Sequence, residues 1–488
     1  MNETSFLMTE NFYHLYTVSQ MRARETHAVS HGLTLSTLME NAGRAASLEI
    51  MKRWDTKRTV ILAGPGKNGG DGFVVARHLR EAGWPVRVFG TPESSLAQEM
   101  AHQVDGILPL DKVDFEDQDL IIDALFGTGL KRSLENPWHI LIAKANASGL
   151  PIVSLDLPSG VNSDTGEIMG KAIQATLTIT FDAPKPGAFL FPGKEFFGIL
   201  ITKDIGIPNS NSEDLQIFLN TPELWKSFLK VPTWRDHKLS RGNVLVIGSS
   251  HMVGAPKMAA LSARRVGAGY VTLMVPKTIE AFLQGSVWGE IIKSYKTSED
   301  IEMALQSGRF QSVVIGPGMP PSLETQEIVK TILKWHKPTV LDGGALSSFE
   351  NQKEDLFESL HENVVITPHE GEFLRLFPHL QGKLRIEMAK TASSQISATL
   401  ILKGADTLIA KNGKIAIQPF ASPWLATAGT GDILAGILGA FLSKKLLPFE
   451  ASLAAVWVHA SASQIVGPYL IAEDLIEALP QEMKCIFT

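Results

Sequence analysis

The chain has 488 residues, a length that indicates two or three domains rather than one core. Hydrophobic residues make up 44% of it and charged residues 20%, which is typical of globular proteins and excludes a disordered chain. The net charge of −6 and the pI near 6.1 give no sign of the clustered basic residues that bind nucleic acid or an anionic membrane.

The chain has a single cysteine, Cys485, which excludes an internal disulfide and a zinc site built on cysteines. Residues 1–20 contain no basic segment followed by an apolar one, so no signal peptide is predicted. The longest apolar stretch, residues 433–442, is about half the length that a bilayer span requires and predicts a buried helix. We therefore expect a cytoplasmic protein.

Short apolar runs alternate with helical patterns along both halves of the chain. The first half begins with a predicted strand at 59–63, a Gly-rich turn at 64–72 and a helix at 73–82. Its further predicted strands are 86–89, 120–124 and 152–155. The second half begins with a strand at 243–247, a turn at 248–250 and a helix at 256–266, and its further predicted strands are 270–275, 312–315, 339–341, 364–367 and 399–402. This alternation predicts parallel sheets covered by helices.

The two α/β series predict two domains. Between them lie the polar stretch 208–212 and a segment of mixed periodicity that contains Pro222 and Pro232. Such composition is typical of a linker, so we place the boundary within 208–235, nearer its end. The predicted domains cover residues 11–220 and 225–485.

Polar residues follow several predicted strands of the first half. Asp71, in the turn at 64–72, would repel a pyrophosphate, so dinucleotide binding is disfavoured. Asn68, Asp123 and Ser159 offer hard oxygen ligands, which suit an alkali or alkaline-earth cation better than zinc. Taken singly, each is more simply a turn residue that ends a strand. Taken together, they favour a cation site.

These segments, with LMENAG at 38–43 and FDAPKPG at 181–187, resemble the NAD(P)H-hydrate epimerases over about residues 15–207. The resemblance implies that Asn68, Asp123 and Ser159 bind K⁺ and that Asp156 is the acid/base of epimerisation. One departure is Lys67, where the family loop normally carries Asn. The substrate pocket that the resemblance implies is formed by Lys67, Asn68, Gly69, Gly70, Asp71, Gly127, Thr128, Gly129, Leu130, Lys131, Arg132, Ser133 and Asp156.

The sequence Gly429-Thr430-Gly431-Asp432 leads into the apolar stretch of the second half and predicts a Gly-rich loop at a helix N-terminus. Glycines let backbone N–H groups approach phosphate oxygens, and the helix dipole favours an anion there. Asp432 could take a proton from an attacking hydroxyl. The simpler alternative is an Asp that caps the helix after a tight turn.

Three more loops follow predicted strands in the second half: 316–318, 367–372 and 403–407. Ligands bind at the carboxyl edge of parallel sheets, so these loops are expected to share a site. Lys403 and Thr407 suit nucleotide phosphates, although a plain hairpin turn is the alternative for that loop because Asn412-Gly413 follows. His369 stands beside a glycine and two acids, which favours a site role over a structural one.

Together these loops resemble the ribokinase-like superfamily. The segments 238–242, 248–256 and 267–271 narrow the resemblance to the ADP/ATP-dependent NAD(P)H-hydrate dehydratases, over about residues 225–480. The departures are Met319-Pro320 and Gly343-Gly344. The resemblance implies Mg²⁺, ADP as cosubstrate and Asp432 as the catalytic base. The implied substrate-binding residues are Ala255, Gly318, His369 and Asp432, and the implied nucleotide-binding residues are Lys403, Gly404, Ala405, Asp406, Thr407, Gly429, Thr430 and Gly431.

The two resemblances imply an α/β fold class with an N-terminal Rossmann-like three-layer αβα domain followed by a ribokinase-like α/β domain. They imply epimerisation of the R and S hydrates of NADH and NADPH, and ADP-dependent dehydration of the S form to NAD(P)H, AMP and phosphate. The expected partners are these hydrates and ADP, with no nucleic acid and no membrane, and we expect a homo-oligomer.

Two other functions remain as alternatives. One is a small-molecule kinase with an accessory N-terminal domain, which the TPH segment at 367–369 and the complete set of N-terminal motifs disfavour. The other makes the N-terminal half a binding or scaffold module. Retention of Asn68, Asp71, Asp123 and Asp156 favours catalysis over that alternative.

Overall fold

The computed structural model describes residues 14–208, 216–287 and 289–487. The chain divides into two compact units between Ile217 and Phe218. The short strand Ile217–Leu219, which the sequence division at 220–225 leaves in the first domain, lies at the edge of the second sheet. Residues 11–13 of the predicted first domain and 209–212 of the predicted linker lie outside the described residues.

The first unit is a parallel sheet with helices on both faces. Its strands are β1 (Thr59–Ala63), β2 (Val86–Gly90), β3 (Ile107–Leu108), β4 (Leu120–Ala124), β5 (Ile152–Leu155), β6 (Leu177–Phe181) and β7 (Ile199–Lys203). Its helices are α1 (Val18–Ser30), α2 (Leu35–Arg53), α3 (Lys67–Glu81), α4 (Ser95–Ala101) and α5 (Trp138–Ala147). The sheet order is β3-β2-β1-β4-β5-β6-β7, so the strand order reverses at β1 and β4.

Successive side chains of β1 point to opposite faces of the sheet, so helices can pack on both faces and form three layers with it. Ile61 and Ala63 point into a core shared with α2 and α3, whereas Val60 and Leu62 point into a core shared with α5. All five residues of β1 are buried, as expected for a strand covered by helices on both faces. The carboxyl ends of β1, β4 and β5 therefore meet at one edge, where the strand order reverses and ligands bind in such sheets.

The second unit has a larger sheet. Its strands are β8 (Ile217–Leu219), β9 (Asn243–Ile247), β10 (Tyr270–Pro276), β11 (Ile291–Tyr295), β12 (Ser312–Ile315), β13 (Thr339–Leu341), β14 (Val364–Ile366), β15 (Thr399–Leu402), β16 (Leu408–Lys411) and β17 (Lys414–Ile417). Its helices are α6 (Gly254–Arg265), α7 (Glu280–Gln284), α8 (Ser298–Gln306), α9 (Leu323–Leu333), α10 (Gly344–Ser347), α11 (Lys353–Ser359), α12 (Glu370–Leu376), α13 (Arg385–Gln395), α14 (Thr430–Ser443), α15 (Pro448–Val466) and α16 (Ala472–Phe487).

The order of this sheet is β11-β10-β9-β12-β13-β14-β15-β16-β17-β8. The strands from β11 to β15 pair in parallel, and β16 and β17 pair antiparallel. Val246, Val314 and Ile401 share one core with α6, α14, α15 and α16. The predicted fold class is confirmed. Among the described residues, every helix is too short or too polar to span a lipid bilayer.

The predicted strands form within a residue or two of their expected ends, but the helix expected at 73–82 begins six residues earlier, at Lys67. Gly66 is its N-cap, so the segment read as a loop forms the first turns of α3. The glycines let the start of α3 pack closely on the preceding turn, because a Cβ at Gly69 would lie 1.9 Å from the carbonyl oxygen of Gly64. The sequence patterns did not predict β3, β6, β7, β8, β11 or β17.

Candidate active sites

A cavity of about 480 Å³ opens at the carboxyl edge of the first sheet. It is lined from three sides by the start of α3, by the turn after β4 and by the residue after β5. The residues predicted for this pocket that do line it are Lys67, Asn68, Asp71, Gly127, Thr128, Gly129, Leu130 and Asp156. Eight of the thirteen residues predicted for a substrate pocket therefore line one cavity, and other segments supply the rest of its lining.

Of the three residues predicted to bind a cation, Asp123 and Ser159 contact each other and Asn68 lines the cavity. Asp123 is fully buried and accepts hydrogen bonds from Ser159 Oγ at 2.6 Å and from Ser154 Oγ at 2.8 Å. Burial raises the pKa of Asp123, and the bonds from the two serines oppose that rise. Asn68 is buried, and among the described residues neither its amide oxygen nor its amide nitrogen has a hydrogen-bond partner.

Asp156 follows β5 in a left-handed backbone conformation with a φ of 64°. Such a conformation is uncommon for any residue but glycine, and it often marks a functional position. Its Oδ1 accepts a hydrogen bond from Lys185 Nζ at 2.7 Å and one from Thr180 Oγ1 at 3.2 Å. Its Oδ2 lies 3.4 Å from the backbone nitrogen of Thr128. The carboxylate is therefore oriented from two directions.

Five of the predicted pocket residues do not line the cavity. Lys131, Arg132 and Ser133 are exposed and lie beyond its rim. Gly69 and Gly70 are buried inside α3, packed against Gly64 and Met39 respectively, and let the helix approach its neighbours closely. Lys67, the departure from the family loop, lines the cavity and donates to Glu25 Oε2 at 2.5 Å.

In the second unit, α14 begins at Thr430 and its N-cap is Gly429, with a φ of 93°. Asp432 is in the first turn of the helix and does not cap it, which rules out the simple capping alternative. Thr430 Oγ1 donates to the carbonyl oxygens of Leu425 and Thr427 at 2.9 and 3.1 Å. The loop is thus held with its helix N-terminus open, as an anion site requires.

A charged pair lies against this helix N-terminus. Lys403 Nζ donates to Asp342 Oδ1 at 2.7 Å, and a Cβ added at Gly431 would lie 3.5 Å from that Nζ. Burial first, and then the charge of Asp342, raise the pKa of Asp432 to about 7, while Lys403 opposes the rise. Asp432 thus titrates near neutral pH, as suits a general base.

The other loops of this edge are joined by backbone contacts. The backbone nitrogen of Lys403 donates to the carbonyl oxygen of Pro368 at 2.9 Å, which brings the segments 367–369 and 403–407 together. His369 caps α12, since its Nδ1 accepts from the backbone nitrogen of Glu372 at 3.2 Å, while its side chain remains 56% exposed. Its role is therefore partly structural.

Ala255 and Gly318 also come together. Gly318 has a φ of 71°, and a Cβ added there would lie 3.1 Å from the Cβ of Ala255. The loop 403–407 joins the antiparallel strands β15 and β16, so it is a hairpin connection, as the alternative held. Asp406 is buried, and its Oδ1 lies 2.7 Å from Arg385 Nε. Its side chain therefore fixes the loop, and only its backbone remains for a nucleotide.

Two residues that the sequence did not predict as site residues contact the predicted ones, one in each unit. Asp342 follows β13, and the rule that located the other loops, a polar residue at the end of a strand, also applies to it. Lys185 is 1% exposed and reaches Asp156 from a turn after β6. Since β6 was not predicted, its position could not be inferred.

Comparison with known proteins supports this division. A family model described as NAD(P)H-hydrate dehydratase matches residues 243–483, and a model described as YjeF-related protein N-terminus matches residues 35–187. A ribokinase-like superfamily protein from Enterococcus faecalis has a similar fold, with a TM-score of 0.50 and 23% identity, over 57% of this chain and 99% of that protein.

Two relatives are similar along nearly their whole length. A protein from Dictyoglomus turgidum is 34% identical over 91% of this chain and 93% of its own, and one from Coxiella burnetii is 33% identical over 92% and 94%. Both are named bifunctional NAD(P)H-hydrate repair enzyme. Similarity of this extent includes both units and both candidate sites.

Proposed function

The chain belongs to the family of bifunctional NAD(P)H-hydrate repair enzymes, and we propose that its two units divide the repair between them. The first unit epimerises the R and S hydrates of NADH and NADPH. The second dehydrates the S form at the expense of ADP and gives NAD(P)H, AMP and phosphate. The observation that carries the second assignment is Asp432, which titrates near pH 7 in the first turn of α14 beside the Lys403–Asp342 pair.

Dehydration begins with the hydroxyl on C6 of the nicotinamide ring. Asp432 takes the hydroxyl proton while the oxygen attacks the terminal phosphorus of ADP, and AMP leaves. Hydroxide is a poor leaving group and phosphate is a good one, so the C6–O bond then breaks. The lone pair of the ring nitrogen expels the phosphate, and loss of a C5 proton restores the dihydropyridine ring.

The residues that would hold ADP are those of the open helix N-terminus and the 403–407 hairpin. Backbone N–H groups at Gly429 to Gly431 would bind phosphate oxygens, and the Lys403 ammonium would balance charge on the transferred group. Mg²⁺ would neutralise phosphate charge, as in other phosphoryl transfers. Asp342, whose carboxylate also pairs with Lys403, is the residue that would offer Mg²⁺ an oxygen ligand beside the substrate phosphates.

K⁺ fits the donors of the first unit. Asn68 has a buried amide oxygen with no partner among the described residues, and Ser159 and Asp123 offer two further hard oxygens. A set with one carboxylate suits a monovalent cation. When bound, K⁺ would balance the charge of buried Asp123 and draw the Asn68 side chain into a fixed position at the cavity wall.

In the epimerase half, Asp156 is the residue that moves a proton at the C6 hydroxyl. C6 carries both the hydroxyl and the ring nitrogen, so the nitrogen lone pair can expel the hydroxyl or open the ring reversibly. Either path loses the configuration at C6. The R hydrate is thereby converted to the S form that the other unit consumes.

The test is an assay on a mixture of both epimers of NADH hydrate, with ADP and Mg²⁺, followed by the absorbance of restored NADH. Full recovery supports both activities. Recovery of the S fraction alone would contradict the epimerase assignment, and no recovery at all would favour a small-molecule kinase. We expect the variant Asp156→Ala to lose conversion of the R fraction and to keep dehydration of the S fraction.

A further inference from the structure

Lys185 is a buried cation in the wall of the first cavity. It is 1% exposed, and its Nζ donates to Asp156 Oδ1 at 2.7 Å, to Thr180 Oγ1 at 2.8 Å and to the carbonyl oxygen of Phe181 at 2.9 Å. All three protons of the ammonium are thus used inside the protein. Burying an ammonium is costly unless it is paired, so this arrangement needs the Asp156 carboxylate.

The contact between Lys185 and Asp156 determines which carboxylate oxygen of Asp156 can face the substrate. Oδ1 is taken by Lys185 and by Thr180. Oδ2 lies beside Gly127 and Thr128, both of which line the cavity, and a Cβ added at Gly127 would lie 3.0 Å from it. Lys185 therefore leaves one oxygen of the carboxylate for the substrate.

Asp71 supplies a second carboxyl group to the same cavity. It stands on α3, which follows β1, whereas Asp156 follows β5, and β4 lies between these two strands. Two strand spacings separate β1 from β5 by roughly 10 Å. The two carboxyl groups thus reach the cavity from elements that follow the strands on either side of β4.

The surroundings of Asp71 favour its protonated form. Burial raises the pKa of Asp71 well above its usual range, and the negative charges of Asp156 and Glu25 raise it further. The cations Lys67, on the same helix, and Lys185 oppose the rise. A carboxyl group whose pKa is raised by burial, in one cavity with a carboxyl group that is paired with the Lys185 ammonium, suits an acid and a base.

We propose that Asp71 and Asp156 act on C6 of the hydrate as a proton donor and a base from two sides of the cavity, with Lys185 as the positioning residue that orients Asp156. This inference rests on the proposed epimerase function and deepens it. Its failure and the failure of that function are distinguishable, since the wild-type protein must first convert the R hydrate.

In one direction, the reaction consists of loss of water from C6 and its re-addition. The Asp71 carboxyl gives its proton to the C6 hydroxyl as the C6–O bond breaks, water leaves, and the ring-nitrogen lone pair forms the C6=N bond. Water then adds to the opposite face of C6, the nitrogen regains its lone pair, and the proton of that water passes to Asp156. The roles exchange in the reverse direction, and both groups re-equilibrate with solvent.

Epimerisation in water enriched in ¹⁸O tests this path on the wild-type protein. Each conversion should exchange the C6 oxygen with solvent, so the epimer formed should carry ¹⁸O at the enrichment of the solvent. The rate without enzyme is subtracted. An epimer that forms enzymatically with its original oxygen would overturn the proposal.

Variants test the two residues separately. Asp71→Asn should lower kcat for epimerisation about 10²–10⁴-fold with little change in KM. The wild-type rate should fall at high pH as Asp71 loses its proton, and Asp71→Asn should lack that fall. Wild-type kcat in Asp71→Asn would refute its role as the acid.

For Lys185, the matched variants are Lys185→Met, which removes the charge, and Lys185→Arg, which keeps it. We expect Lys185→Met to lose kcat and Lys185→Arg to retain more of it than Met does. Dehydration of the S hydrate by the second unit, together with the melting temperature, shows whether each chain has folded. Where Lys185→Met does not fold, Lys185→Gln takes its place, and wild-type kcat in either folded uncharged variant would contradict positioning through the Lys185–Asp156 contact.

Discussion

Lys403 Nζ donates to Asp342 Oδ1 at 2.7 Å, although the two residues are 61 positions apart in the chain. Thr367 Oγ1 donates to the same oxygen, also at 2.7 Å. Three loops of the second sheet edge are thereby tied together at the N-terminus of α14. The pair also sets the electrostatic field at Asp432, because Asp342 raises the pKa of Asp432 and Lys403 lowers it.

The first prediction concerns Asp432 as the base. Asp432→Asn keeps the shape of the side chain and removes the proton acceptor, so dehydration of the S hydrate should fall about 10²–10⁴-fold. The measurement is initial-rate appearance of NADH from purified S hydrate with saturating ADP and Mg²⁺. Conversion of R to S by the first unit serves as the internal control and should be unchanged. Ordinary dehydratase turnover in this variant would remove Asp432 from the role.

The second prediction concerns the pH dependence of that step. The base must be ionised, and the pKa of Asp432 is raised to about 7, so kcat/KM for dehydration should rise as pH increases through about 7. Asp342→Asn removes a negative charge that raises this pKa, so the rising limb should move to lower pH.

The measurement is kcat/KM against pH for the wild-type protein and Asp342→Asn under identical ionic strength. The absolute rate of the variant will also fall, because Lys403 loses its partner. The pH at which kcat/KM rises is therefore the decisive quantity. A limb that stays in place, or moves to higher pH, would contradict the electrostatic assignment.

Most of the fold could be predicted from local sequence patterns. Buried strands such as Thr59–Ala63 and Asn243–Ile247 are short apolar runs with turn residues at their ends. Because parallel strands end at the same edge of a sheet, the loops that follow them could be assigned to one edge in each unit. The start of α3 could not be predicted in this way. Glycines usually mark loops, and here they allow close packing of a helix, which depends on neighbours distant in sequence.

The sites were predictable as far as residue type decides them. Asp432 and Asn68 stand in motifs that mark them as candidates without knowledge of their neighbours. The contacts of Lys185 with Asp156 and of Arg385 with Asp406 join residues 29 and 21 positions apart, and nothing local in the sequence indicates them. For the same reason the sequence assigned Asp406 to the nucleotide, whereas its side chain is buried against Arg385.

The third prediction concerns the cation site. A cation that binds only the folded first unit stabilises it by RT ln(1 + [K⁺]/Kd), about 2.7 kcal/mol at a concentration one hundred times Kd. The melting temperature of the first unit should therefore rise with KCl relative to choline chloride at equal ionic strength. Asn68→Ala removes the unpartnered amide oxygen and should abolish that difference. A K⁺-dependent shift that persists unchanged in Asn68→Ala would place the cation elsewhere.

The last prediction concerns the packing of α14 on α6. Gly436 is inside α14, and a Cβ added there would lie 2.1 Å from the carbonyl oxygen of Ala259 and 2.2 Å from Ser262 Oγ. Alanine favours a helix over glycine by about 1 kcal/mol, but overpacking of a well-packed interior costs about 1–3 kcal/mol. Because the nearest atom belongs to the backbone of α6 and cannot rotate away, the packing cost should prevail.

We therefore expect Gly436→Ala to lower the melting temperature of the second unit, measured by calorimetry on the whole chain. With the overpacking cost at its upper end, the net loss is about 2 kcal/mol, which corresponds to roughly 4–8 °C. The matched control is Gly254→Ala in the first turn of α6, where a Cβ would meet nothing within 4 Å and alanine should be neutral or stabilising. If both variants melted like the wild-type protein, the close approach of the two helices would not need glycine. Loss of stability in Gly436→Ala alone would identify Gly436 as the residue that lets α14 pack directly on α6, with its first turn at the anion site.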